Sequence, residues 1–481
     1  MTADWREPLL AGATLLDVRL ARRDPARWPG YHPEPSVRAY RLKGHPERPG
    51  PVALTWDFGV QGGSFGEDDA TVLQKACEHA VRERVPLITV LRTGGTRLQE
   101  GMAALVGIPR AVLALRSLAE AGLPHVSVAD SPTTGGVWIS VGSTADVRVA
   151  VEGAVVGFAG PRVVEALTGE LPGPDSHNAE AAYAAGLVDA VLPRDQVVGW
   201  LQRTLAALAP PPPAAPPAPA PAAHDHQDIP PGDTGESLAG SPVDHGKGEA
   251  GGGWEQVLRA RARTVGGREL LQGVLTHQVP LRAPRGDETV FATLGRLADV
   301  PVVAVALAAE LGGRPTPDGY RLATRAYRLA GRLGLPVLSL VDTPGADPGP
   351  VAERDGIAPA MGEALDALLT CASPTVALVH GEGGSGGALA AAAADVVLVG
   401  PDSYFAPIGP EGATAALRRP AQECADRMRI TPADLLALGF ADAVGGTEDL
   451  AAHVHRLSAV PQEERLAARR SRWSAPLPGR L

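Results

Sequence analysis

Val376–Asp395, VALVHGEGGSGGALAAAAAD, decides the reading of this chain. An apolar run closes at His380, Gly381, Gly383, Gly384, Gly386 and Gly387 follow, and an alanine-rich helical run begins at Ala388. A strand, a glycine turn and a helix start bring bare backbone N–H groups up to a ligand atom. Groups held in that way stabilise negative charge developing on oxygen. The stretch therefore reads as an oxyanion-stabilising turn. Along the chain, apolar strand-like runs alternate with helical periodicity, which predicts an α/β fold with substantial parallel character.

The turn has a counterpart in the first half. VPLITVLRTGG (Val85–Gly95) aligns with LPVLSLVDTPG (Leu335–Gly345). In the same order, Gly135-Gly136 falls against Gly386-Gly387, Pro161 against Pro410 and Gly186 against Gly439, always about 250 residues apart. The chain reads as two copies of one domain. The expected organisation is an N-terminal extension over 1–45, a first domain over 46–206, a Pro/Gly-rich linker over 207–253, a second domain over 254–450 and an Arg-rich tail over 451–481.

Composition narrows the function. A length of 481 residues suits two domains, and aromatics at 4% leave burial to Ala, Val and Leu. The net charge of −10 argues against a nucleic-acid surface. Cys77, Cys371 and Cys424 are too scattered for a disulfide framework or a zinc ribbon. No uncharged apolar run reaches the ~20 residues that span a bilayer. A reduced, cytoplasmic protein with no metal, no membrane and no nucleic-acid partner is expected. HDHQD (His224–Asp228) contains metal-ligand types within the linker, where such residues usually stay solvated.

Other glycine-based chemistries compete with the oxyanion reading. GxxxxGK[ST] is absent. Gly381, Gly383 and Gly386 fit GxGxxG, but too few residues follow for a dinucleotide-fold crossover helix. GGSGG around Ser385 and GGSFG around Ser64 fit GxSxG, with His453 or His455 as candidate bases. His380 reads as a core histidine. Glu100, Glu353, Glu382 and Glu411 lie beside the turns as helix-terminus, ion-pair or positioning residues.

The motifs together resemble a known family, the crotonase-like carboxyltransferase component of biotin-dependent acyl-CoA carboxylases. The first half, about residues 50 to 195, is similar to the bacterial acetyl-CoA carboxylase beta subunit through DFGVQGGSFGEDD (Asp57–Asp69), GGTRLQEG (Gly94–Gly101), DSPTTGGVWIS (Asp130–Ser140) and GFAGPRVVEAL (Gly157–Leu167). The second half, about residues 254 to 447, is similar to the alpha subunit through WEQVLRARA (Trp254–Ala262), PTPDGYRLATR (Pro315–Arg325), VDTPGADPG (Val341–Gly349), GEGGSGGALA (Gly381–Ala390) and GPEGAT (Gly409–Thr414). The chain thus looks like a beta–alpha fusion of two tandem crotonase-like domains. It departs from the family pattern in three places: no zinc ribbon, VALAAELGGR (Val305–Arg314) in place of a basic segment, and glycine at 409 where serine is usual.

The resemblance implies a carboxyltransferase that moves the carboxyl group of carboxybiotin to the α-carbon of acetyl-CoA or another short acyl-CoA. Gly135 and Gly136 would hold the thioester oxygen, and Gly386 and Gly387, with Ala388, the ureido oxygen. CoA would lie near Gly62, Gly63, Gly94, Gly95 and Arg97, and Gly345, Ala346, Gly383 and Gly384 would line the biotin side. The biotin would arrive on a separate carrier protein charged by a biotin carboxylase, since none of Lys43, Lys75 and Lys247 lies in a biotin-acceptor setting. A homodimer or higher oligomer is also implied, with each site shared between the first half of one protomer and the second half of another. The alternatives left open are a biotin-independent malonyl-thioester decarboxylase and an inactive scaffold of a carboxylase complex.

Overall fold

The computed structural model describes residues 4–44, 49–208 and 252–478. Most of the expected linker, including HDHQD, lies outside them. The first sheet contains β1 (Thr14–Leu15), β2 (Val37–Arg41), β3 (Val52–Trp56), β4 (Leu87–Thr93), β5 (His125–Thr134), β6 (Val147–Val151), β7 (Val156–Gly157) and β8 (Ala190–Leu192). The second contains β9 (Leu275–Leu281), β10 (Val290–Leu297), β11 (Val300–Leu307), β12 (Val337–Thr343), β13 (Thr375–Gly384), β14 (Val396–Val399), β15 (Tyr404–Ala406) and β16 (Ala443–Val444). Their orders are β1-β2-β3-β4-β5-β6-β8, with β7 beside β5, and β9-β10-β11-β12-β13-β14-β16, with β15 beside β13. In each, the first three strands pair antiparallel and the rest parallel. The duplication read from four landmarks therefore extends to every strand.

The central strands form because they are covered on both faces. In β12 every residue of VLSLVDT is buried, and β4 is buried at all but Arg92. A parallel strand needs such near-continuous apolar runs because helices cover both sides of the sheet. Those helices repeat too: Glu67–Glu83 and Gly107–Glu120 in the first domain correspond to Pro317–Leu333 and Ile357–Leu369 in the second. Pro317–Leu333 has clear start and stop signals. Thr316 caps it, proline opens it, and Gly334 ends it at φ 69°.

The termini depart from the expected organisation. The supposed N-terminal extension supplies β1 and β2 to the first sheet. Its Trp28 and Tyr31 pack with Val257, Tyr404 and Met428 of the second domain. Most of the Arg-rich segment 451–481 forms helices, Leu450–Ser458 and Gln462–Ser474. The second of these helices reaches the first domain, where Arg470 pairs with Glu120 at 3.1 Å and Gln74 Nε2 donates to the Ser474 carbonyl at 2.7 Å.

Arg469 anchors that helix. Its guanidinium is buried and donates to both oxygens of Asp395, at 2.7 and 2.5 Å. It also donates to the carbonyls of Leu368, Cys371 and Ser373, at 3.1, 2.6 and 2.8 Å. Two of these carbonyls sit at or just past the end of helix Ile357–Leu369, where intrahelical donors run out. Arg469→Met leaves Asp395 as an uncompensated buried carboxylate. It is expected to destabilise the protein by about 3–5 kcal/mol, measured by denaturant unfolding.

Candidate active site

Both β5 and β13 end in a turn that starts a helix, and the two turns share one construction. On β5 the pairing with β4 runs Leu91 with Ala129 and then Thr93 with Thr133. On β13 the pairing with β12 runs Val341 with Val379 and then Thr343 with Gly383. The same two-residue bulge thus precedes both turns. This register places Gly135 over Ser385 and Gly136 over Gly386, one residue away from the alignment made on the glycines alone. The backbone agrees, since Gly135 has φ 71° and Ser385 has φ 67°. A left-handed residue at this point swings the chain from strand to helix.

The turns leave donors free. After Gly135, the Ile139 N–H bonds back to the Gly135 carbonyl at 3.1 Å, and the N–H groups of Gly136 and Val137 have no acceptor among the described residues. On the other side, helix Ser385–Ala392 starts with Gly386 and Gly387 in its first turn, where N–H groups lack intrahelical partners. Each free set lies at the positive end of a helical segment, which favours an anionic oxygen.

A second pair of turns backs the first. Gly95 and Gly345 have φ 102° and 133°. Their N–H groups are held by the hydroxyls of Thr93 and Thr343, at 3.0 and 3.1 Å. Gly95 lies so close to Gly135 that a Cβ on Gly135 would stand 2.8 Å from the Gly95 Cα. All these turns converge on one cavity of about 120 Å³, lined by Gly94, Gly95, Gly135 and Gly136 from the first domain and by Gly345, Ala346 and Ser385 from the second. Equivalent helices, Pro161–Thr168 and Pro410–Leu417, contribute Val163, Leu167 and Ala416 to it. Gly136 and Gly386 both approach one methyl group: a Cβ on Gly136 would be 2.6 Å, and one on Gly386 3.4 Å, from Ile108 Cδ1. Within the single chain, both turns border this cavity.

Several expected site residues lie elsewhere. Arg97 is completely buried and bound to Asp69 at 2.7 Å, to Glu100 at 3.3 Å and to the Glu34 carbonyl at 2.9 Å. With its guanidinium committed inside the loop 57–69 region, it cannot offer a donor to CoA. Gly62 and Gly63 form a tight turn against the end of β4, where Gly94 N–H donates to the Gly62 carbonyl at 2.9 Å, and neither lines the cavity. Gly383 and Gly384 are ladder residues paired with Phe405 and Ala406 of β15. Ala388 is a fourth-position helical residue, so its N–H closes the first turn on the Gly384 carbonyl and is not free. Gly387 is required by packing, because a Cβ there would stand 2.8 Å from Tyr320 Oη and 2.9 Å from Ala346 N. Among the described residues the hydrolase alternative has no base at Ser385: its hydroxyl meets no histidine, and His453 lies on helix Leu450–Ser458 hydrogen-bonded to Arg456.

Two charged residues in the cavity wall escaped the sequence reading, Arg314 as a site residue and Glu411 as more than a neighbour. Glu411 is bound by Arg261 at 2.8 and 3.1 Å, and these hydrogen bonds hold its carboxyl below the usual range. Arg314 has no carboxylate within ion-pair distance among the described residues, and burial draws it below its ordinary value. The GGR that ends the apolar strand-and-turn segment was the available signal, since an arginine there follows β11 into the same loop layer as the glycine turns.

Comparison with known proteins agrees with this duplication. Residues 52–246 match the carboxyl transferase domain, and residues 275–471 match the acetyl co-enzyme A carboxylase carboxyltransferase-like family. The chain is 40% identical over 417 residues to the acetyl-coenzyme A carboxylase carboxyl transferase subunits beta/alpha of Salinispora arenicola, covering 82% of this chain and 71% of that protein. It is 34% identical over 449 residues to the probable biotin-dependent acyl-coenzyme A carboxylase beta3 subunit of Mycobacterium tuberculosis, covering 88% and 85%. Among solved structures, the transcarboxylase 12S hexamer with methylmalonyl-coenzyme A bound is 21% identical with a TM-score of 0.39, covering 95% of this chain and 90% of that one.

Gly386 and Gly387 separate steric need from chemistry. A methyl on Gly386 finds ordinary contacts, 3.4 Å to Ile108 and 3.6 Å to Ile139, whereas one on Gly387 collides with backbone. Gly386→Ala is expected to fold normally but to lose about tenfold or more in turnover, by crowding a donor worth on the order of 3 kcal/mol. Gly387→Ala is expected to lower the melting temperature. Thermal denaturation alongside steady-state kinetics distinguishes the two.

Proposed function

Because this chain belongs to the carboxyl transferase family of biotin-dependent acyl-CoA carboxylases, with its two tandem crotonase-like domains, we propose that it transfers a carboxyl group from carboxybiotin on a separate carrier protein to the α-carbon of acetyl-CoA or another short acyl-CoA. The observation that carries this reading is the pair of equivalent donor turns facing one cavity beside the Ile108 methyl. A thioester enolate and a ureido group each present one oxygen that gains negative charge, and the structure holds one donor set for each.

The residues present fit the biotin ureido group. The second turn has free N–H groups on Gly386 and Gly387 at its helix start, and Ser385 beside them lines the cavity. Carboxybiotin, when bound, supplies the activated carboxyl group. Gly136 and Val137 stabilise the acyl-CoA oxygen as negative charge develops on it, each donor lowering the barrier by about 3 kcal/mol. Their alignment costs nothing at the moment of reaction, because Gly95 and the Phe158 carbonyl already fix Gly135, the latter at 3.0 Å. Arg314 places a guanidinium in the same cavity wall as Glu411, where it attracts a carboxylate entering or leaving. Leu98, Phe158, Val163, Leu167 and Ile408 keep water from the reacting carbon.

The carrier and the biotin carboxylase belong to the same proposal, as do assembly into a homo-oligomer and a cytoplasmic setting. The decarboxylase alternative needs only the first donor set, and the scaffold needs neither.

Incubation of the purified protein with malonyl-CoA, with and without biotin or a biotinylated carrier domain, separates the three. Loss of malonyl-CoA that depends on biotin is expected. Equal loss without biotin would establish the decarboxylase, and no turnover under either condition would leave the scaffold.

A further inference from the structure

Among the described residues, Glu353 is a buried acid with no cationic partner. It lies on the short helix Pro350–Arg354 of the second domain and is 5% exposed. Its carboxylate reaches across to the first domain, where Oε2 accepts the Phe158 N–H at 2.8 Å. Across from it stands His177, whose Nε2 is 3.7 Å from Glu353 Oε2 and whose Nδ1 is 2.6 Å from Ser176 Oγ. This is not an ion pair, because burial pushes His177 down to about 4 and leaves it neutral. Arg354, next along the helix, turns away to Asp175 at 2.6 Å. Burial accordingly pushes Glu353 up to about 7. An uncompensated buried carboxyl is costly, so packing stability does not explain its presence.

The position of Phe158 does. It is the first residue after β7, past the last ladder bond, and its carbonyl accepts the Gly135 N–H at 3.0 Å. Gly135 is the left-handed residue that opens the first donor turn. One residue therefore joins Glu353 to that turn: its N–H is held from the second domain, and its C=O holds the turn. Access depends on Gly157, where a Cβ would come within 2.9 Å of His177 Cδ2 and 3.3 Å of the Glu353 carboxyl carbon. The second domain needs no such device. Gly157 pairs with Thr134 as Ala406 pairs with Gly384, so the residue equivalent to Phe158 is Pro407, which has no N–H to satisfy.

We propose that Glu353 is a positioning residue for the first donor turn, acting through Phe158 so that the turn takes its working geometry only when the second domain is docked. The role presupposes the carboxyl-transfer reading. What it adds is that one domain sets the geometry of the other domain's donors.

Two conservative variants of the full-length protein test this. Glu353→Gln keeps the chain length and an oxygen acceptor for Phe158 N–H, whereas Glu353→Asp keeps the charge and withdraws the oxygen by one methylene. E353D is expected to lose about tenfold in kcat for biotin-dependent malonyl-CoA decarboxylation with KM within about threefold, while E353Q stays within about threefold of the wild type in both. Backbone hydrogen exchange across 133–142 is expected to speed up in E353D and to be unchanged in E353Q. The reverse order, with aspartate functional and glutamine impaired, would overturn the proposal in favour of a charge role, and so would equal behaviour of both variants. If the wild type itself lacks biotin-dependent turnover, the functional reading fails, yet the exchange comparison still decides whether Glu353 positions the turn.

Discussion

Everything in this structure depends on one backbone constraint: a strand must become a helix within two residues without using up the N–H groups at the junction. A left-handed residue accomplishes the change of direction at Gly135 and Ser385. Serine in that conformation carries a strain of roughly 1–2 kcal/mol that glycine escapes. The chain tolerates it because the surrounding sheet is anchored on both sides, β13 lying between β12 and the β14/β15 pair. The neighbours are then committed in turn. Gly384 and Gly387 have no room for a Cβ, Thr343 must tie down Gly345, and Tyr320 must pack under the helix start.

Duplication supplies two copies of this junction, but the copies are not interchangeable. The first runs into a π-helical turn, Trp138–Gly142, while the second runs into a regular α-helix. The first leans on a neighbouring carbonyl and, beyond it, on a carboxylate from the other domain, and the second is closed by proline at the matching place. Charge is also unevenly divided. Arg314 and Glu411 both come from the second domain, leaving the first domain's wall of the cavity without an ionised group. Such asymmetry is expected where two similar oxygens belong to chemically different partners.

Much of this was legible in the chain. The continuous apolar runs, the glycine pairs and the spacing of about 250 residues led to a duplicated α/β fold and to the two turns, because these are local signals repeated in order. The exact pairing of the turns was not legible. Identity favoured glycine on glycine, whereas the ladder of β12 and β13 sets serine over glycine, and a bulge cannot be counted without the partner strand. Arg97 sits in a motif that reads as substrate-facing, yet Glu100, three residues on, and Asp69, in the first turn of helix Glu67–Glu83, take it inward. The arginine-rich end reads as a solvated face because charge alone says so. Arg469 is instead enclosed by carbonyls of the segment Leu368–Ser373, about a hundred residues earlier in the chain, a tertiary fact with no local signature.

The crossed termini change what the connection between the halves has to do. Trp28 and Tyr31 from the first segment rest among second-domain side chains, and helix Gln462–Ser474 from the last segment rests on Glu120 and Gln74 of the first. The halves are laced together from both ends, independently of residues 209–251. The fit of the halves is therefore set by these contacts among the described residues, and separate halves would meet through the same ones. On this view, fusing two genes or splitting one is a change of stoichiometric control, and the catalytic cavity has no means of sensing which has occurred.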